Sequence, residues 1–279
     1  MTKKLALVVV ALASFAVGAF LPAEPASAAG VVQWNIDGAF LSQGVSRNSQ
    51  ADEFSNYLTF MPPTFGTLNE VCEPQVLRIA ANTDYEAAYA MVYNGGAARP
   101  DCGNTSDTQY YNAVFYPENL SFVDVDFWRF STSPDSAPGR ALLCVKVAFI
   151  FSISTGCSAH LSPYSSLPSA NETQLAETIW VGSAYGSDGP RTYLAGDYNA
   201  RSWRTALDTF YSQYWETNAR TSKRWTIKST YGCDSNNSGG RGIDYIFGNK
   251  SGNPSSGLGL VAVDTGSKSD HCLVMRAFD

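Results

Sequence analysis

Arg191-Thr192-Tyr193-Leu194-Ala195-Gly196-Asp197-Tyr198-Asn199 is the stretch on which the fold turns. Its first residues read as a short strand. That strand runs directly into Gly196-Asp197-Tyr198-Asn199, so an aspartate is delivered at its end. Burying a carboxylate costs several kcal/mol unless it is paired or bound to a cation. The aspartate therefore needs a partner from elsewhere in the chain.

The same pattern recurs outward from this point. Trp34-Asn35-Ile36 closes a strand over 31–36, and Leu68-Asn69-Glu70-Val71 closes one over 65–71. Ser158-Ala159-His160-Leu161 ends a strand-like region that begins at 141. Ile243-Asp244-Tyr245-Ile246-Phe247 is a strand with an acid at its head, and Ser269-Asp270-His271 opens a final strand over 272–277. Six apolar strands each place polar residues near a terminus, which asks for one common site.

The remaining elements fill in around these. Residues 51–60 have helical character and stop before Pro62-Pro63, and 74–81 suits a short helix with Pro74 in its first turn. Glu73 opens that helix, Asp37 reads as a turn residue, and 94–108 reads as a loop. Strands are expected over 112–116, 122–130, 223–228, 242–247 and 258–263. A helix is expected over 171–184, capped by Ser169 or Asn171. Trp203, Leu207, Phe210 and Tyr214 recur at helical spacing and mark one buried face. Many strands with a few interspersed helices indicate an α+β sandwich, sheets inside and helices outside.

The chain opens on a targeting pattern. Lys3 and Lys4 precede an uncharged run of 17 residues, 5–21, followed by Pro22, Pro25 and the small-residue site Ala26-Ser27-Ala28. As a helix that run rises about 25 Å, short of a ~30 Å hydrocarbon core. Residues 1–28 are thus expected to be a signal peptide and 29–279 one secreted, extracellular domain without stable membrane insertion. From residue 29 the chain carries 17 basic and 24 acidic side chains, unevenly spread: 6 and 16 up to residue 190, then 11 and 8 from 191 onward. A locally basic face can capture a polyanion even on an acidic protein. The cysteines are Cys72, Cys102, Cys144, Cys157, Cys233 and Cys272, an even set behind an export signal. Pairing in sequence order gives 72–102, 144–157 and 233–272. With no C-x-x-C and only two histidines, a structural zinc site is not expected.

Taken in order, W-N-I, N-E-V, A-H-L, G-D-Y-N, I-D-Y-I-F and the terminal S-D-H resemble the signatures of the endonuclease/exonuclease/phosphatase superfamily, which includes deoxyribonuclease I. The resemblance spans nearly all of 31–277. It implies a four-layer α/β/β/α sandwich of two packed, mainly antiparallel sheets flanked by helices. It also implies a metal-dependent phosphoesterase. Glu70 would hold the metal, with Asn35 close by and Asp270 as a second carboxylate. Mg²⁺ suits such an oxygen-only, carboxylate-poor set, with Mn²⁺ or Ca²⁺ as alternatives. Asp197 would position or deprotonate the attacking water. Asn199, two residues on and on the same face of an extended segment, would bind a phosphate oxygen and orient Asp197. Asp244 would fix the tautomer of His271 and favour its charged form. His160 and His271 would grip the phosphate and stabilise the transition-state charge.

Three positions depart from the pattern. Ala159 replaces the hydroxyl residue that usually precedes the histidine. Tyr111-Asn112-Ala113 replaces G-N-A, which would put a ring beside the cleft. Thr108-Gln109-Tyr110 lacks the glutamate that deoxyribonuclease I uses to pair its first histidine. Arg140 fits a superfamily position at the head of a strand and equally a surface arginine.

The leading expectation is a monomeric extracellular nuclease acting on nucleic acid. Arg201, Arg204, Lys223, Arg224 and Lys228 near Tyr211, Trp215 and Trp225 suit phosphate and base contact. The alternatives are a phospholipid or sphingomyelin phosphodiesterase and an inositol-phosphate-type phosphatase of the same fold. A toxin subunit or binding module reusing the scaffold is the non-enzymatic alternative; the intact set of polar motifs argues against a dead scaffold and leaves open a toxin subunit that keeps nuclease activity.

Overall fold

A computed structural model describes residues 29–37, 46–94, 102, 109–133, 139–149, 152–186, 191–200, 205–210, 243–248, 261–263, 265, 268–269 and 271–278. The chain begins with β1 (Ala29–Asn35), α1 (Arg47–Phe60), β2 (Phe65–Val71), α2 (Glu73–Asn82), β3 (Tyr85–Asn94) and β4 (Gln109–Pro117). It continues with β5 (Ser121–Arg129), β6 (Ala141–Phe149), β7 (Ser152–His160), α3 (Pro168–Gly186) and β8 (Arg191–Asp197). The last elements are α4 (Thr205–Thr209), β9 (Asp244–Gly248), β10 (Val261–Val263) and β11 (Leu273–Phe278).

The strands form a six-stranded sheet, ordered β10-β11-β1-β2-β4-β3, and a five-stranded sheet, ordered β5-β6-β7-β8-β9. Each contains one parallel pair, β1 with β2 and β7 with β8, and is otherwise antiparallel. The parallel pairs matter for function, because they carry the ends of four motif strands to the same edge of the slab.

Alternation along the strands builds three apolar layers. Trp34, Phe54, Leu58, Leu68, Val71 and Ile79 pack α1 and α2 onto the outer face of the first sheet. Leu142, Leu161, Leu175, Leu194, Leu207 and Phe210 pack α3 and α4 onto the second. Val31, Phe65, Val114, Val145, Tyr193 and Ile246 fill the space between the sheets. The four-layer α/β/β/α sandwich is the observed architecture. At Gly156 a Cβ would overlap the Phe65 ring, so glycine permits the sheets to approach there.

Several boundaries differ from expectation. Helix α1 starts four residues early, because Ser46 caps it by accepting from the Ser49 amide at 3.1 Å. Helix α3 starts at Pro168, and Asn171 is not its cap. It lies inside the helix, donating to the carbonyls of Ser162 (2.7 Å) and Tyr198 (2.8 Å). Strand β3 was not expected at all. Its alanines and glutamate carry no β-propensity, yet Tyr85, Ala87 and Tyr89 alternate against the outer core and pair along β4. Tyr111 shares that outer face, 5.5 Å from the Tyr89 ring, rather than lying beside the cleft. The 223–228 strand lies outside the described residues, as do Trp203 and Tyr214 of the expected helical face.

Cys72 pairs with Cys102 and Cys144 with Cys157, as expected, the latter directly across β6 and β7. Cys272 is also disulfide-bonded, while Cys233, its expected partner, lies outside the described residues. So does the expected signal peptide, 1–28. Among the described residues no helix is long and apolar enough to cross a membrane.

Candidate active site

Toward the carboxyl ends of β1, β2, β7 and β8 the filling between the sheets changes from apolar to polar. Gln33, Thr67, Asn69, Asn112 and Ser158 are all buried there. Beyond them lie Asn35, Glu70, His160 and Asp197.

Glycine and strain bring these groups together. Gly196 has φ 150°, and a Cβ on it would collide with the backbone carbonyl of Ala159. Its small size lets β8 lie against β7 so that His160 and Asp197 stand at paired positions. On β2 the register shifts between Leu68 and Val71, and Glu70 has φ 53°. In plain alternation Glu70 would face the helices with Leu68. The bulge turns it onto the edge of the slab and returns Val71 to the outer core. A non-glycine residue in this conformation costs about 1–3 kcal/mol, and such strain concentrates at functional sites.

Asp197 is the hub. It is 2% exposed. Its Oδ2 accepts from Asn35 Nδ2 at 3.2 Å and lies 3.6 Å from His160 Nε2 and 3.8 Å from His271 Nε2. Its Oδ1 accepts from the backbone N–H of Asn199 at 2.8 Å, and its own N–H donates to Asn69 Oδ1 at 2.8 Å. Burial and the nearby Asp244 push its pKa up to about 7, against the lowering effects of His271, Asn199 and Asn35.

His271 Nδ1 lies 2.8 Å from Asp244 Oδ2, and both residues are buried. This contact fixes the ring and leaves Nε2 facing Asp197. Ser269 ties the motif to β1: its Oγ donates to the Asn35 carbonyl (2.8 Å) and accepts from the His271 N–H (3.0 Å). Trp34 Nε1 donates to the His271 carbonyl at 3.0 Å. Gln50 of α1 adds a clamp, donating to the carbonyls of Ile36 (2.7 Å) and Lys268 (2.5 Å).

His160 Nε2 lies between Asp197 and Glu70, 3.7 Å from Glu70 Oε1. Burial, then the charges of Arg140 and His271, hold its pKa well below the ordinary histidine value. These effects disfavour its cation, and a neutral imidazole still offers one N–H to a phosphate oxygen. The Arg140 guanidinium, 3.5 Å from the His160 carbonyl, brings a permanent charge beside the site.

Asn199 is also corrected in part. It is not extended but has φ 51°. Its backbone, not its amide, orients Asp197, while its Nδ2 donates to the Leu161 carbonyl at 2.9 Å. Asp37, with φ 48° and its N–H on Asn35 Oδ1 (3.2 Å), is the turn residue expected.

The structure thus gathers Asn35, Glu70, His160, Asp197, Asn199, Asp244 and His271 at one edge. Asp270 lies outside the described residues, as does the basic and aromatic segment holding Arg201, Arg204, Tyr211, Trp215, Lys223, Arg224, Trp225 and Lys228. Sequence reasoning passed over Asn69, Asn112, Ser158, Gln50 and Ser269. The available signal was polar side chains at inward-facing strand positions, such as Thr67 and Asn69 two apart on β2.

Two groupings could hold a cation. Asp197, Asp244 and His271 offer ligand atoms within 4.8 Å of one another. In that set His271 Nδ1 and Asp244 Oδ2 already contact one another at 2.8 Å, which occupies one ligand atom of each. Glu70, partly exposed at 27%, and the Asn35 amide offer hard oxygen donors beside a buried carboxylate. Their chemistry fits Mg²⁺, which takes one or two carboxylates and keeps several waters. A cation there would also relieve the charge that burial makes unfavourable at Asp197.

Comparison with known proteins agrees with this geometry. The profile described as the Endonuclease/Exonuclease/phosphatase family matches residues 32–271. Among solved structures, a humanised D. rerio TDP2 superposes with TM-score 0.69 at 17% identity, covering 91% of this chain and 99% of its own. D. rerio TDP2 with a single-strand DNA product gives 0.66 at 16%, covering 90% and 98%. The human Nocturnin catalytic domain with bound sulfate gives 0.63 at 14%, covering 88% and 92%. These likenesses show the fold. No curated protein sequence matches the chain.

Proposed function

Because the chain belongs to the endonuclease/exonuclease/phosphatase family, we propose that it is a secreted, divalent-metal-dependent phosphodiesterase that cleaves nucleic acid endonucleolytically. The observation that carries this reading is the convergence of Asn35, His160 and His271 on a single oxygen of Asp197, with Glu70 beside them.

In this reading Glu70 and Asn35, with Asp270, hold the metal, which supplies a Lewis acid for a phosphoryl oxygen. Asp197 orients a water and takes its proton, and a carboxyl titrating near 7 is suited to that work near neutral pH. Asn199 holds Asp197 in place through its backbone N–H. Asp244 anchors Nδ1 of His271 and favours the doubly protonated ring, whose Nε2–H can donate to the phosphate. Neutral His160 offers a hydrogen bond, and Arg140 contributes the nearby positive charge.

Nucleic acid is favoured as substrate by the basic balance from residue 191 onward and by the DNA product bound to one structural neighbour. Secretion is supported by the expected signal peptide and the two disulfides.

The test is a panel assay of the purified protein with Mg²⁺, Mn²⁺ or Ca²⁺. Plasmid DNA should be nicked, while sphingomyelin and inositol phosphates should be left intact. Turnover of either of the latter with DNA untouched would transfer the protein to one of the alternative readings.

A further inference from the structure

We propose that Asn69 is a positioning residue whose side-chain amide sets the two halves of the site in register; the proposal rests on the phosphodiesterase reading above. Asn69 is fully buried between the sheets. Its Oδ1 accepts from Gln33 Nε2 at 2.8 Å and from the Asp197 backbone N–H at 2.8 Å. Its Nδ2 donates to Asn112 Oδ1 at 2.9 Å and to Ser158 Oγ at 3.1 Å. Both acceptor sites and both donors of the amide are used.

The network admits one orientation. The Asp197 backbone N–H can only donate, which fixes Asn69 Oδ1 toward it, and Gln33 must then present its amino group to the same oxygen while its Oε1 meets Thr67 Oγ1 at 2.6 Å. Ser158 Oγ donates its proton to the Leu68 carbonyl at 3.1 Å and so must accept from Asn69. Asn112 Nδ2 donates to the Ala141 carbonyl at 3.0 Å, leaving its oxygen for Asn69. The partners come from β1 and β4 of one sheet and β7 and β8 of the other.

The position of Asn69 in the chain gives this junction its consequence. It immediately precedes Glu70, inside the β2 bulge. One amide therefore fixes the backbone that presents Glu70 and the backbone that presents Asp197. The proposed metal side and the proposed water side of the site belong to different sheets. A fully satisfied polar junction specifies a single register between them. Glutamine carries the same amide on one more methylene, so it can remake part of the network.

The test uses Asn69→Ala, Asn69→Gln and Ser158→Ala in the full mature chain, with Leu58→Ala as a destabilised core control. Steady-state cleavage of plasmid DNA gives kcat, KM and the Mg²⁺ dependence, and hydrogen exchange reads the Asp197 amide directly. Asn69→Ala should lower kcat about 100-fold, because small misplacements of reacting groups cost that much. KM should change little, the Mg²⁺ needed for half-activation should rise, and the Asp197 amide should lose protection. Asn69→Gln should restore much of kcat. Ser158→Ala, a milder change that remains informative if Asn69→Ala does not fold, should fall between. Leu58→Ala should keep wild-type kcat.

Preserved Asp197 protection in Asn69→Ala overturns the proposal whatever the activity does. A kcat loss no larger than in Leu58→Ala overturns it as well. If the wild type cleaves no phosphodiester, the reading of function fails instead, and the exchange measurement still decides the positioning role.

Discussion

Replacing Asp197 by asparagine should abolish cleavage and stabilise the metal-free protein, and the stabilisation should depend on pH. The carboxyl titrates at about 7 in the fold, against 3.8 for an exposed aspartate. Its folded-state pKa is raised, so the folded protein binds the extra proton. The stability this provides is complete below about pH 4 and is lost as pH rises to about 7. At 1.36 kcal/mol per pH unit, a difference of about three units is on the order of 4 kcal/mol. The substituted amide would keep an oxygen for the Asn199 N–H and carry no charge to bury, while its amino group in place of Oδ2 would lose the bond from Asn35 Nδ2 and offset part of the gain. In EDTA near pH 8 the variant should therefore exceed wild type by up to about 4 kcal/mol, or very roughly 8–16 °C in Tm for a chain of this size. Near pH 4 the difference should vanish. Differential scanning calorimetry across this range, with EDTA and then with Mg²⁺, is the assay. Mg²⁺ should narrow the gap at high pH by stabilising the wild type. A variant no more stable than wild type near pH 8, or a gain independent of pH, would refute the reasoning that burial beside Asp244 sets the Asp197 titration.

Three further expectations concern other parts of the site and scaffold. NMR titration of the metal-free protein should find His160 still neutral at about pH 6, since burial and Arg140 disfavour its cation; a midpoint at the ordinary 6.5 or above contradicts this. Asp244→Asn and His271→Ala should each cost about 100-fold or more in kcat, and the double variant little beyond the worse single, because the pair acts as a unit; losses that multiply would separate the two residues. Thiol titration of the denatured, unreduced protein should find no free thiol, since no described cysteine is free, and two or more per chain would contradict the disulfide framework.

How much of this was legible in the sequence depended on whether a residue's role was local. Strand ends with polar residues at Asn35, Glu70, His160, Asp197 and His271 stood out because an apolar run that stops on a charged or amide side chain is unusual in itself. Helix and strand existence followed from periodicity, with boundaries shifted where a cap such as Ser46 acts. Strand β3 was hidden because its alanines and glutamate dilute the strand preference of its tyrosines and valine, and pairing with β4 supplies the order. The conformations of Glu70 and Asn199 were hidden because a bulge and a left-handed residue are set by what the neighbouring strands demand. Asn69 and Ser158 were hidden because their partners come from strands tens of residues away. The downward shift at His160 comes first from burial and then from the charges of Arg140 and His271, none of which spacing reveals.

The central claim is that Glu70, turned out by the β2 bulge, binds the cation on which phosphodiester hydrolysis depends. Single-turnover cleavage of supercoiled plasmid by wild type and Glu70→Gln, each in Mg²⁺ and in EDTA, addresses it most directly. Cleavage is expected only for wild type with Mg²⁺, and in Glu70→Gln a loss of at least about 100-fold that higher Mg²⁺ partly restores. Full activity of the wild type in EDTA, or wild-type rates from Glu70→Gln at the same Mg²⁺ concentration, would contradict it.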